Sequence, residues 1–274
     1  MNIASGCLRH AKLLALLLVL SAPSACGQAL NLTCWQADSL APSAHASSLY
    51  AWGFARQGAE WVIARQKVSS HRGDSLVFTK PTAHGATLAP ERADRYVKRI
   101  TSGYLVGINY GEFGGGLYFV GLDGTRLAEI ETSLRVRQIF EFDHRLFAAG
   151  GFREGCIEEL LYREGTWQAR QLTHLPEPPL LTQEYGGDLL VVSQNFVHRV
   201  GPDFKVVSQL QLPPHSSWPY PSALLVAQGD LYLALGTGIL HVKQFLKPRS
   251  GTPKPSATND REDNLDFEWY VPKQ

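Results

Sequence analysis

The chain has 274 residues, 44% of them hydrophobic and 19% charged, which is enough to bury a sizeable core in a single β domain. Lys and Arg together number 26 against 25 Asp and Glu, a net charge of +1. That balance lacks the concentrated positive charge on which nucleic-acid binders and polybasic membrane-surface proteins rely, so neither class is expected.

Residues 1–29 have the layout of a secretory signal: Arg9, His10 and Lys12 precede the apolar run Leu13 to Leu20, and small residues from Ser21 to Ala29 follow. The apolar core is far shorter than the ~20 residues needed to cross a bilayer. Its removal is therefore expected, with export of the rest to the periplasm or outer membrane in a bacterium. Ala25-Cys26-Gly27 resembles the end of a bacterial lipoprotein box, in which Cys26 would be acylated and serve as a lipid anchor, although Pro23 stands where such a box carries Leu. Cleavage between Ala25 and Leu30, leaving a soluble chain, is the other reading. No later run is long and apolar enough to span a membrane. Asn31-Leu32-Thr33 would accept a glycan only in a eukaryotic secretory route.

Cys7 falls in the signal and Cys26 is removed or acylated, which leaves Cys34 and Cys156 in an oxidising compartment. A bond between them would close a long loop and contribute about 4.7 kcal/mol in the chain-entropy account. Two buried free thiols are the alternative, because sequence does not report whether their Cα atoms come within bridging distance. The N-terminal segment 30–48 ends in an Ala- and Ser-rich stretch, 35–48, that reads as a loop.

A repeat fills residues 49–245. Its second-strand position recurs at Trp61-Val62-Ile63, Tyr104-Leu105-Val106, Leu146-Phe147-Ala148, Leu189-Leu190-Val191 and Leu231-Tyr232-Leu233, each run following polar or glycine turn residues. With Ile63, Leu105, Leu146, Leu189 and Leu231 as equivalents, the steps are 42, 41, 43 and 42 residues. Third and fourth strands follow around tight turns at Leu122-Asp123-Gly124-Thr125, Glu164-Gly165-Thr166 and Gly201-Pro202-Asp203. Four strands per repeat of this length make a propeller blade, and such sheets are stable only when packed face to face around an axis. The expected fold is all-β, a five-bladed β-propeller of four-stranded antiparallel sheets.

Within the repeat, Gly229 to Leu240 resembles a blade of the sensor-type regulator propellers, and Phe147-Ala148-Ala149-Gly150-Gly151 is similar to the double-glycine strand end of kelch blades. The Trp-Asp mark of WD repeats is absent. The resemblance covers 49–245 loosely and implies architecture, not function.

Several connections carry candidate sites. Arg72-Gly73-Asp74 reads as a turn before Ser75-Leu76-Val77-Phe78, and His84 to Asp94 is weakly patterned. His144, Glu184 and Tyr185, beside Asp143 and Arg145, fall in turns between the first two strands of successive blades. They either gather at a channel mouth to bind a charged ligand or are solvated turns. The proline-rich loop 213–221 presents Trp218 and Tyr220, which either meet a protein partner or fold back over the gap between blades. Leu246 to Asn264, with Pro248, Pro253 and Pro255, reads as a flexible insert. In 265–274 the alternation of Leu265, Phe267, Trp269 and Val271 predicts a strand that completes the last blade or pairs with a partner sheet.

No His-Glu-x-x-His, Cys-x-x-Cys or Gly-x-Ser-x-Gly is present, and Gly114-Gly115-Gly116 lacks the Lys of a phosphate cradle. No two histidines alternate on a strand, so no metal or cofactor is expected. Besides a subunit of an envelope assembly, two functional readings remain. The preferred one is a binding module that recognises a protein or cell-envelope component, in the manner of an inhibitor or immunity protein. The other is a glycosidase or lyase, with two of Glu141, Asp143, Glu184, Asp188 and Asp230 facing each other across an axial channel.

Overall fold

A computed structural model describes residues 30–32, 35–38, 50–67, 71–76, 93–213, 221–235, 238–245 and 267–272. Residues 1–29, Cys26, Cys34, Trp218, Tyr220 and the insert 246–264 lie outside the described residues.

Two short strands, β1 (Leu30–Asn31) and β2 (Trp35–Asp38), precede the repeats. The first sheet pairs β3 (Tyr50–Gln57) with β4 (Glu60–Lys67), and β1 joins β4 in parallel. The second sheet runs from β5 (His71–Gly73) through β6 (Asp94–Ile100), β7 (Gly103–Asn109) and β8 (Gly115–Gly121) to β9 (Leu127–Ile130). The third is β10 (Val136–Phe142), β11 (Arg145–Gly151), β12 (Gly155–Arg163) and β13 (Thr166–Leu175). The fourth is β14 (Leu181–Tyr185), β15 (Asp188–Val192), β16 (Phe196–Val200) and β17 (Val206–Gln211). The last orders β18 (Ala223–Ala227), β19 (Asp230–Ala234), β20 (Ile239–Val242), β21 (Phe267–Pro272) and β2. The protein is thus all-β, five propeller-like blades in chain order, although only the third and fourth keep a strict four-strand count.

The tail strand β21 lies antiparallel to β20, with Val242 opposite Phe267 and Leu240 opposite Trp269. Residues 35–38, read from composition as loop, form β2 on the outer edge of β21. The Ala-Ser bias of the following residues concealed a four-residue strand whose pairing partner is at the far end of the chain.

Four of the repeat equivalents, Ile63, Leu146, Leu189 and Leu231, fall on the second strand of their sheets, and Leu105 falls on β7, third in its sheet because the edge strand β5 precedes β6. One of the five is out of phase. Ile63, Leu146, Leu189 and Leu231 face the preceding blade in the ring order, whereas Leu105 faces the following one, packed with Leu134, Val136 and Ile139. In a strand a one-residue offset turns a side chain to the opposite face. Tyr104 and Val106 therefore occupy the face that the other four share.

Side chains from neighbouring sheets interlock in four clusters. One joins sheets two and three around Leu105, Leu117 and Ile139; the next joins three and four around Phe142, Phe147 and Phe204. Sheets four and five meet at Val197, Leu231, Leu233 and Trp269, and five and one meet at Tyr232, Trp35 and Trp52. Phe147 is fully buried, its ring 4.5 Å from that of Phe204 and 5.5 Å from that of Phe140. Burying each such side chain contributes about 1.5–3 kcal/mol.

Candidate functional site

The first strands of the blades set the geometry of the axis. β6, β10 and the residue before β14 begin at one end, and a small cavity of about 60 Å³ opens there between Asp94, Arg95, Asn109, Val136, Arg137 and Leu180, with Arg72 and Pro221 beside them. Three arginines and one aspartate stand among the described residues that line it. Arg95 and Arg137 occupy the second positions of β6 and β10, so consecutive blades deliver the same side chain to the same level. Burial pushes the Arg95 guanidinium below its ordinary value, the signature of a charge held away from bulk water. Burial also pushes the Tyr96 hydroxyl up, reinforced by Asp74 and opposed by Arg72.

Arg72 arrives by a route that sequence reading missed. Arg72 and Gly73 belong to an inner edge strand that Asp74 follows, and not to a simple turn: β5 runs parallel to β6 with Arg72 opposite Tyr96. Asp74 secures it, donating from its backbone N–H to the Val97 carbonyl at 2.8 Å and accepting the Arg99 backbone N–H on Oδ2 at 2.6 Å. Gly73 has φ +83°, and a Cβ there would stand 2.0 Å from the Val97 carbonyl oxygen, so the close approach needs glycine.

A second, wider cavity of about 490 Å³ lies at the same end over the third sheet, lined among others by Ser133, Leu134, Phe152, Cys156, Gln171 and His174. Glu154 on its rim bonds His174 Nε2 at 2.9 Å. The Arg135 guanidinium lies 3.9 Å above the Phe152 ring.

The sequence-derived candidates lie elsewhere. His144 is exposed in the β10–β11 turn, where Asp143 and His144 both take positive φ (49° and 57°), the geometry of a tight hairpin. Glu184 and Tyr185 close β14 at its junction with β15 and are also exposed. These turns terminate the strands whose beginnings line the axial cavity, so His144, Glu184 and Tyr185 sit at the opposite end of the axis. Of the carboxylates considered for glycoside chemistry, Glu141, Asp143 and Glu184 are exposed, Asp188 pairs with Arg199, and Asp230 bonds His241 at 2.8 Å. Among the described residues, neither cavity carries two carboxylates.

Cys156 is a free thiol, 8% exposed, pushed up to about 11 by burial and by the Glu158 carboxylate. No three His, Cys, Asp or Glu side chains among the described residues form a group able to hold a metal ion. No helix among them is long and apolar enough to cross a membrane.

No protein-family model matches the chain. No curated protein matches it either. Among solved structures, a gluconolactonase from Xanthomonas campestris aligns at 16% identity with a TM-score of 0.38, over 52% of this chain and 53% of its own. A protein of unknown function from Bacteroides caccae aligns at 16% identity with a TM-score of 0.35, over 53% and 57%. The chain therefore spans little more than half the length of either structure.

The residues that line the axial cavity were not singled out from sequence, yet a signal was present. Arg95 and Arg137 are 42 residues apart, one repeat length, each one residue into a first strand. A charge repeated with the blade period on the innermost strand points to the axis.

Proposed function

We propose that this chain is an exported β-propeller binding module that takes an anionic group of a protein or envelope component at the axial cavity. One observation carries the reading: β5, β6 and β10 bring Arg72, Arg95 and Arg137 to the lining of one cavity, where Asp94 is the acidic residue among the described ones. Guanidinium groups present planar pairs of donors that match a carboxylate or phosphate, and partial burial strengthens that match. The cavity has room for one such group rather than a whole sugar or nucleotide. Export rests on the signal layout of residues 1–29, and acylation of Cys26 would hold the module at a membrane surface.

The test is thermal unfolding of the full mature chain in inorganic phosphate or glutarate, against sodium chloride of equal ionic strength. A ligand that binds only the folded state raises the midpoint. Phosphate or glutarate should raise it for the wild type and not for Arg95→Gln or Arg137→Gln. Equal midpoints in all salts for the wild type would overturn the reading.

A further inference from the structure

The chain enters the fold at a fixed place. Leu30 stands opposite Trp61 and Asn31 opposite Val62 in the parallel pairing of β1 with β4. Leu30 is buried between the fifth and first blades, and Asn31 Nδ2 donates to the Glu60 carboxylate at 2.9 Å. Packing and a hydrogen bond therefore hold the entry point. Glu60 and Trp61 open β4 straight after the turn at Gly58, with Trp61 opposite Arg56 of β3.

β3 tells which end of the axis this is. The Ser222 hydroxyl donates to the Trp52 carbonyl at 2.7 Å, and Ser222 follows Pro221, which lines the axial cavity. β3 thus begins at the cavity end and finishes at the turn end, as β6 and β10 do. Arg56 lies four residues after Trp52, which at the strand rise is about 13 Å further from the cavity. β1 climbs parallel to β4 towards the cavity, so its N-terminal side faces the turn end.

We propose that the chain, acylated on Cys26, stands with its turn end on the lipid and its axial cavity turned away. The cavity then takes an anionic group from the aqueous compartment, and not a headgroup of the membrane that holds the anchor. This rests on the axial reading and on acylation of Cys26, and adds to them the side from which the partner comes. Covalent reach carries the proposal. Four residues lead from Cys26 to Leu30, and at about 3.6 Å per residue a fully extended chain covers about 14 Å. That is enough to rest the turn end on a bilayer. The inverted orientation asks the same four residues to reverse direction and climb about 13 Å to reach only the level of Pro221. Beyond that level the loop after β7 still projects, with Phe113 85% exposed, because β7 finishes at Asn109 where β6 begins. Phe113 and the exposed Phe152 on the loop after β11 are thereby left to solvent and to a partner. Their insertion into lipid is the opposite arrangement.

The test uses the full chain expressed with its signal in a Gram-negative bacterium and purified in detergent. Mass spectrometry reads the lipid on Cys26, and the protein is reconstituted into phosphatidylcholine vesicles that carry a nitroxide on a fraction of their headgroups. A dye is coupled through an azido amino acid placed at Glu184, at the turn end, or at Phe113, at the cavity end; both positions are exposed and neither lines the cavity. The nitroxide should remove most of the emission from position 184 and leave that from position 113 unchanged. Stronger quenching at 113, or equal quenching at both, would overturn the orientation. Recovery of the chain without lipid on Cys26 would overturn it as well, and keeps the axial reading. A chain whose midpoint does not respond to phosphate or glutarate in detergent loses the axial reading, and with it the partner, while the two labels still decide the orientation.

Discussion

Leu240 and Trp269 face each other across the β20–β21 ladder, and both are buried in the cluster that joins the fourth and fifth blades. The tail strand is therefore part of the core. Trp269→Ala should cost about 3–5 kcal/mol, the range for deleting a buried aromatic. Denaturant midpoints of the two proteins check this, and a loss under 1 kcal/mol would mean that the tail contributes little to the last blade.

His198 is fully buried in the fourth blade with neither ring nitrogen hydrogen-bonded. Burial pushes its imidazole below the ordinary value, with Glu177 opposing. The unfolded chain then binds a proton as pH falls through about 6.5 while the folded chain does not. Stability should accordingly drop as pH is lowered from 7 towards 5. Urea midpoints across that range should fall for the wild type and fall less for His198→Leu; parallel curves would assign the loss to other groups.

Glu159 has the same sign from a different cause. Burial alone would raise its carboxyl, but hydrogen bonds and charge from Arg145 and Arg170 overcome burial and hold it below the ordinary range. The stabilisation is present above about pH 4.3 and is lost as pH falls through the lowered folded value. Both arginines are more than a third exposed, so solvent screens part of the attraction. Glu159→Gln should cost about 1–3 kcal/mol at pH 7, the range for hydrogen bonds to a charged group, and the difference from wild type should vanish in acid.

The thiol of Cys156 combines burial with a value pushed up to about 11. The thiolate is the reacting species, so a disulfide reagent at pH 8 should modify native protein slowly and unfolded protein at once. Stopped mixing with and without guanidinium measures both rates. Rapid native labelling would show that the groove floor opens in solution.

Sequence periodicity disclosed the blades because each second strand is an apolar run bracketed by turn residues, and solvent cannot support such a run except in a packed sheet. It failed by one residue at Leu105, since Tyr104, Leu105 and Val106 are all apolar and buried, so phase is invisible where both faces are covered. β2 and β5 were missed for another reason. Each is short, and each owes its existence to a ladder partner distant in the chain or to a capping contact such as Asp74 with Val97 and Arg99. Turn residues attract attention in a sequence, and the axial cavity lies away from them. His144 and Glu184 satisfy turns, whereas Arg95 and Arg137 sit inside strands and acquire meaning only once the first strands are known to surround an axis.

The last sheet sets Trp35 opposite Pro272, so an early segment of the chain finds its ladder partner 237 residues further on. The middle blades pair between strands that are neighbours in sequence, whereas this sheet needs two distant parts of the chain to meet. Loop closure over such a span is slow. The β2–β21 ladder is therefore the slowest part of the fold to assemble, and the edge of β21 stays open to other strands until β2 covers it.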